Sequence, residues 1–310
     1  MGEDENFICN KLWDEVYIDY TGNVYSCCHE GPSILGNIVK EKLVDILNND
    51  IIRKFRIMAL NSNLPCLKTC NIHPNHRPLK GNETDIIDIN KIYTLKILFG
   101  ERCNINCIMC WQNSKNMDIL NFDELKKNID FKNFKHIIIQ GGEPFYCKEV
   151  LDFYDYVSSL GVYVSFLTNG LLINDEWAEK VALHSLFIHI SLNAATKETH
   201  ELINKGSDWE TVLRNIQLIR RYKEKYNSPI EIKGHMTIVK QNISEIGLFI
   251  RNFQKLGFDI ARFGYDEGIP KYLEENPLLK KQLINDISNS IDETNKGKID
   301  MIRLKLLQLV

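Results

Sequence analysis

The sequence predicts an α/β fold: a parallel sheet curved into an open barrel of six strand-helix units, behind a small module of hairpin and helix. Three observations predict it. Apolar runs of strand length alternate six times with amphipathic helical stretches after residue 90, the alternation stops short of the eight units that close a barrel, and a stretch of weak periodicity from Pro74 to Asn90 separates this region from what precedes it.

In chain order, Val16–Tyr20 and Val24–Cys28 are β-prone runs flanking Thr21-Gly22-Asn23, where glycine and asparagine supply the positive φ of a tight turn. Leu43, Ile46 and Leu47, then Ile51, Ile52, Phe55, Ile57 and Met58, keep helical spacing until Pro65. The linker's two prolines, glycine and mixed charges put a boundary near residue 85. Beyond it the expected strands are 92–99, 135–140, 162–167, 186–192, 230–239 and 258–263, with helices near 121–130, 147–160, 174–183, 196–204, 209–226 and 243–256. The expected domains are therefore a module over 1–85, a partial (βα)6 TIM-like barrel over 86–270, and one or two amphipathic helices over 271–310. Function in such a barrel gathers at the C-terminal ends of its strands.

Composition narrows the function. With 310 residues, 44% hydrophobic and 25% charged, the chain has the make-up of a soluble globular protein, and no apolar run reaches the ~18 residues of a membrane helix. A balance of 38 basic against 41 acidic residues offers no electrostatic footprint for nucleic acid. Residues 1–10 lack the basic and apolar segments of a secretory signal, so the expected compartment is the cytoplasm. There, nine cysteines are metal ligands or catalytic groups before they are bridges.

Their spacing separates two groups. Cys103-Asn-Ile-Asn-Cys107-Ile-Met-Cys110 directly follows the first barrel strand. Three thiolates can bind three irons of a four-iron four-sulfur cluster and leave the fourth iron open to a ligand. A structural zinc or packed free thiols are the bland alternatives. The second strand ends in Gln140-Gly141-Gly142-Glu143-Pro144, where glycines allow close approach of a ligand and a carboxylate can accept from an ammonium. In the N-terminal group, twelve residues separate Cys9 from Gly22 and four separate Gly22 from Cys27, with Cys66 and Cys70 following. Zinc held by Cys66-x3-Cys70 with His73, His76 or the hairpin thiols is the alternative there.

The three-cysteine loop and the Gly-Gly-Glu-Pro turn together resemble the radical S-adenosylmethionine (SAM) superfamily. The resemblance implies that Cys103, Cys107 and Cys110 carry a SAM-binding 4Fe-4S cluster and that Gly141, Gly142, Glu143 and Pro144 hold the methionyl amino group. It implies further SAM contacts from Thr168 and Asn169 after strand three and from Ser191 and Asn193 after strand four. Met109 stands where the family often has an aromatic residue near the adenine, a place a polarizable thioether can fill. The N-terminal cysteines resemble the auxiliary module called twitch, related to SPASM, placed here before the barrel. That resemblance implies a second 4Fe-4S cluster on Cys9, Cys27, Cys66 and Cys70. Cys27 is preferred to Cys28 by its distance from Gly22, since adjacent strand residues face opposite ways.

The implied reaction is reductive SAM cleavage to a 5′-deoxyadenosyl radical that abstracts hydrogen from a peptide or small metabolite. A flavodoxin- or ferredoxin-type donor supplies the electron, and a separate leader-binding protein is an expected partner for a peptide substrate. Cys147, close to the turn, is a candidate hydrogen-atom donor or simply a half-buried thiol. Strand five places Glu231, Lys233 and His235 on one face with Thr237 following, either an inward polar face or a half-buried outer strand. The competing reading of the whole chain is a non-catalytic iron-sulfur or zinc-binding interaction protein.

Overall fold

The computed structural model describes residues 7–9, 11–27, 33–68, 76–78 and 83–310. Along these residues the strands are β1 (Phe7–Cys9), β2 (Glu15–Ile18), β3 (Asn23–Tyr25), β4 (Gly36–Asn37), β5 (His76–Pro78), β6 (Thr94–Leu98), β7 (Asn106–Cys107), β8 (His136–Gln140), β9 (Tyr163–Thr168), β10 (Phe187–Ser191), β11 (Asn204–Lys205), β12 (Glu231–Ile238) and β13 (Ile260–Tyr265). β6, β8, β9, β10, β12 and β13 are the six strands the alternation predicts. The chain divides into two compact units that interleave in sequence: 1–101, 116–141 and 148–164 form the first, and 102–115, 142–147 and 165–310 the second.

In the first unit β2 and β3 form the expected hairpin, with Gly22 at φ +83° in its turn. The hairpin grows to three strands through β4. On its other side β2 pairs in parallel with β6, and β6 in parallel with β8, so the sheet runs across the sequence boundary near residue 85. Glu15 on β2 accepts from Lys11 at 2.6 Å and pairs with Lys96 of β6 at 2.8 Å. Burial alone would raise its pKa, but the two ammonium groups hold it below the ordinary carboxylate value.

The same unit holds the helix Asp50–Leu60, capped by Asn49, whose side chain accepts from the amides of Ile51 and Ile52. Its Arg56 is 1% exposed and donates to the carbonyls of Leu12, Leu47 and Asp85. Burial lowers the guanidinium pKa to about 10. Trp13 Nε1 donates to Thr84 O at 2.9 Å, so the end of the segment read as a linker is tied to the module. Phe99, Phe122 and Phe131 pack on Phe153, the last two edge-on, between the strands and the helix Lys148–Ser159.

In the second unit β10 pairs in parallel with β9 and with β12, and β12 with β13. Helices Asp175–His184, Lys197–Ile203, Trp209–Lys225 and Ile246–Asn252 supply the crossovers. The last is shorter than the stretch expected from sequence, its first turn being a 3₁₀ turn at Ile243–Glu245. The C-terminal segment holds helices Ile269–Glu275, Pro277–Ser290 and Ile302–Leu306, and Ile299 adds a parallel bridge to Ala261 on β13.

Candidate active site

The loop after β6 is built around its cysteines. The Cys103 amide donates to Ser114 O at 3.2 Å and the Cys110 amide to Cys107 O at 3.1 Å, which turns the loop back on itself. β7, containing Cys107, pairs antiparallel with β11, with Cys107 opposite Asn204. Cys103 and Cys107 are half-buried, and Cys110 is exposed. Burial raises the Cys103 thiol to about 11 and the Cys107 thiol to about 12, with negative charge on neighbouring thiols adding to both.

This donor set fits an iron-sulfur cluster. Among the described residues no three His, Cys, Asp or Glu side chains converge closely enough to hold one ion. Three thiols of one loop, close enough for their charges to act on one another, are the donor set a cluster of this kind takes, and bound iron would supply the positive charge that ionises buried thiols. Asn169 Nδ2 donates to Cys103 Sγ at 3.8 Å, and the Cys107 thiol donates to Asn204 Oδ1 at 3.4 Å.

The turn after β8 is locked to its surroundings on both sides. Gly141 has φ +92°, and a Cβ there would stand 2.4 Å from Leu98 Cγ and 2.8 Å from Gly100 O, so only glycine fits. The Gly142 amide donates to Gln112 Oε1 at 3.0 Å and the Glu143 amide to Arg102 O at 2.9 Å, joining turn to cysteine loop.

The Glu143 carboxylate is fully buried. It accepts from Thr168 Oγ1 and the Asn169 amide, each at 2.7 Å, and from the Phe145 amide at 3.2 Å. Burial still raises its pKa, to about 7, against these three donors. Its side chain thus braces the end of β9. Pro144 and Phe145 are buried, Phe145 packing on Phe166 and Trp177.

Thr168 is drawn into the same brace and also accepts from the Gly170 amide at 3.0 Å. Asn169 Nδ2 donates to Asn104 Oδ1 at 2.8 Å, linking the end of β9 to the cysteine loop. Asn193 is buried with φ +60°; its Oδ1 accepts from the Thr237 amide and its Nδ2 donates to Asn204 Oδ1, both at 2.9 Å. Ser191 is half-buried on the same strand end. Met109 is half-buried, whereas Trp111 is 77% exposed. Cys147 is buried, following the 3₁₀ turn Pro144–Tyr146.

In the first unit Cys9, Cys27 and Cys66 are each half-buried. Cys28, Cys70 and His73, and the side chain of His76, lie outside the described residues.

Sequence reasoning missed Asn204. Its Nδ2 donates to the carbonyls of Ser191 and Leu192 while its Oδ1 accepts from Cys107 and Asn193, so one buried amide connects the cysteine loop to the end of β10. Nothing in its local sequence marks it, because the pairing of β7 with β11 spans nearly a hundred residues. Gln112 and Asn104 were equally silent.

Residues 97–252 match the family model described as the radical SAM superfamily, and residues 9–71 match SPASM, described as an iron-sulfur cluster-binding domain. A cysteine-type anaerobic sulfatase-maturating enzyme of Clostridium novyi is 28% identical over 189 residues, 53% of this chain and 48% of the relative. An S-adenosylmethionine-dependent nucleotide dehydratase of Danio rerio is 24% identical over 188 residues, 56% of this chain and 50% of the relative. The chain spans about half the length of these curated relatives. The crystal structure of Streptococcus suis SuiB bound to precursor peptide SuiA is similar in fold, with a TM-score of 0.50 over 92% of this chain and 70% of that one at 13% identity.

Proposed function

Because this chain belongs to the radical SAM superfamily, we propose that Cys103, Cys107 and Cys110 hold a 4Fe-4S cluster whose open iron takes SAM. The observation that carries this reading is the coupling of the thiol trio to the glycine turn through Gly142–Gln112 and Glu143–Arg102. Bound there, the cluster and SAM supply reductive cleavage to methionine and a 5′-deoxyadenosyl radical able to abstract hydrogen from a substrate carbon.

The chain's own residues orient the reactants. Gly141 and Gly142, with Glu143 and Pro144, present a turn whose backbone can meet the methionyl ammonium. Thr168 and Asn169 hold that turn against the cysteine loop. Ser191, Asn193 and Met109 line the neighbouring strand end and loop, where ribose, carboxylate and adenine would lie. A defined distance between radical and substrate, with water excluded, is what such positioning contributes. Cys147 is buried, and the reading asks nothing of it.

Cys9, Cys27, Cys66 and Cys70, in the module over 1–85, would close a second 4Fe-4S cluster with four thiolates and no open iron, suited to electron transfer. The match of residues 9–71 to an iron-sulfur cluster-binding domain supports this. A polypeptide substrate is supported by the sulfatase-maturating relative, and a small metabolite by the nucleotide dehydratase. A flavodoxin- or ferredoxin-type protein would deliver the electron, and a separate leader-binding protein would serve a peptide. The described residues contain no helix long and apolar enough to cross a membrane.

Anaerobic reconstitution tests the reading. Roughly eight irons per chain, a change in the electron paramagnetic resonance spectrum on adding SAM, and dithionite-dependent 5′-deoxyadenosine are expected. Stoichiometric zinc with no SAM cleavage would replace it with the non-catalytic alternative.

A further inference from the structure

The strands of the second unit carry a polar side of which the cysteine-loop site uses only Ser191. In register, Ser191 stands opposite His235, His189 opposite Lys233, and His235 opposite Arg262. Alternation along the strands puts all five side chains on one face. The other face is apolar, with Ile188, Ile190, Ile232 and Met236 fully buried.

On the polar face the rings of His189 and His235 meet edge to face, centroids 4.6 Å apart. His189 is 7% exposed and its Nε2 has no hydrogen-bond partner. His235 is half-buried as a residue, yet its Nδ1 is shielded from solvent and also has no partner. Buried polar atoms are ordinarily satisfied, since each orphan costs about 1–3 kcal/mol. Two orphans on touching rings mark a place where a partner is missing.

The chemistry of that partner follows from the neighbours. Thr237 Oγ1 lies 3.2 Å from His235 Nε2. Either group can donate in that contact; in the tautomer the proposal takes, the hydroxyl donates, the proton of the neutral ring sits on Nδ1, and Nδ1 requires an acceptor. Burial and the Arg262 charge push His235 down to about 3; burial, the neighbouring ring and Arg262 hold His189 well below its ordinary value. Both rings are therefore neutral beside a fixed cation. Arg262 Nε donates to Asp300 at 3.1 Å, and the Asp300 amide donates to Ala261 O, which fixes the guanidinium while its Nη edge takes no part in that bond. Gly264 leaves room for the imidazole: a Cβ there would stand 3.1 Å from His235 Nε2.

We propose that His189, His235 and Arg262 form the subsite that anchors the substrate of this enzyme, and that the anchored group is an anionic oxygen group, a carboxylate or a phosphate. The assignment rests on the reading of the cysteine loop and glycine turn given above, to which the subsite is joined through Ser191, directly opposite His235.

Full-length protein, reconstituted anaerobically, is titrated by calorimetry with inorganic phosphate and, separately, with succinate. Wild type binds one equivalent of one probe saturably, and the preferred probe distinguishes phosphate from carboxylate. Arg262→Lys keeps the charge but loses the planar fork, and His235→Leu loses the donor; each weakens binding by about tenfold or more. His235→Leu also melts at or above the wild-type temperature without ligand, since it removes an unsatisfied group, whereas a histidine kept for structure would melt lower. No saturable binding of either probe, or binding unchanged in both variants, overturns the subsite. The same wild-type samples are assayed for 5′-deoxyadenosine: its formation without anion binding removes the subsite alone, and its absence removes the underlying reading.

Discussion

Cys107 Sγ lies 3.4 Å from Asn204 Oδ1, across the short antiparallel ladder that pins the cysteine loop to the end of the helix Lys197–Ile203. The same amide donates to Ser191 O and Leu192 O and accepts from Asn193 Nδ2. Asn204→Ala removes all of these bonds inside a buried site. Denaturant unfolding of the metal-free chain is expected to register a loss of about 1–3 kcal/mol. Iron incorporation should fall with it, because the loop loses the contact that positions its second thiol.

Two sets of thiols should be separable by iron counting. Cys103→Ala, Cys107→Ala or Cys110→Ala is expected to remove about four irons per chain together with dithionite-dependent 5′-deoxyadenosine. Cys66→Ala should also remove about four irons while leaving the spectral response to SAM in place. A single loss of all iron from every variant would argue against two independent clusters.

Gly141→Ala is expected to damage stability and SAM binding together. The residue sits at φ +92°, and the added carbon would meet Leu98 Cγ and Gly100 O well inside contact distance. A positive-φ strain of about 1–3 kcal/mol adds to the displacement of Leu98. Thermal melting and a SAM titration check both effects, and an unperturbed variant would mean the turn is more adaptable than its geometry states.

Acid stability reports the His189 and His235 pair. Both have folded-state pKa values below the ordinary histidine value, His235 at about 3. Between the unfolded value of about 6.5 and the folded one, the unfolded chain binds more protons. Stability is therefore independent of each ring's titration above pH ~6.5 and falls as pH falls below it, by about 1.4 kcal/mol per pH unit per ring. Unfolding free energies of wild type and of the double variant His189→Gln/His235→Leu, measured across this range, should diverge in slope. Parallel curves would show that the rings titrate normally.

Periodicity and punctuation made the architecture legible. The six strands and their crossover helices lie within a few residues of their expected bounds because each is written in local apolar spacing, from Leu95 and Ile97 on β6 to Ile232 and Met236 on β12. The cysteine spacing and the Gly-Gly-Glu-Pro turn were equally readable, since a short loop must carry its chemistry in neighbouring residues. What sequence left open was the use to which each polar side chain is put. Glu143 reads as an acceptor for a ligand, yet its carboxylate is taken by Thr168, Asn169 and Phe145.

The amino-acid sequence by itself determined the strand-helix order, the three-thiol loop after the first barrel strand and the family to which they belong. Only the tertiary structure decided that β2 extends the sheet beyond the module boundary, that Asn204 faces Cys107, and that His189, His235 and Arg262 share one side of the sheet. The reason is physical: spacing along a chain encodes local geometry, whereas strand pairing, register and burial join residues that lie many tens of positions apart and leave no local mark.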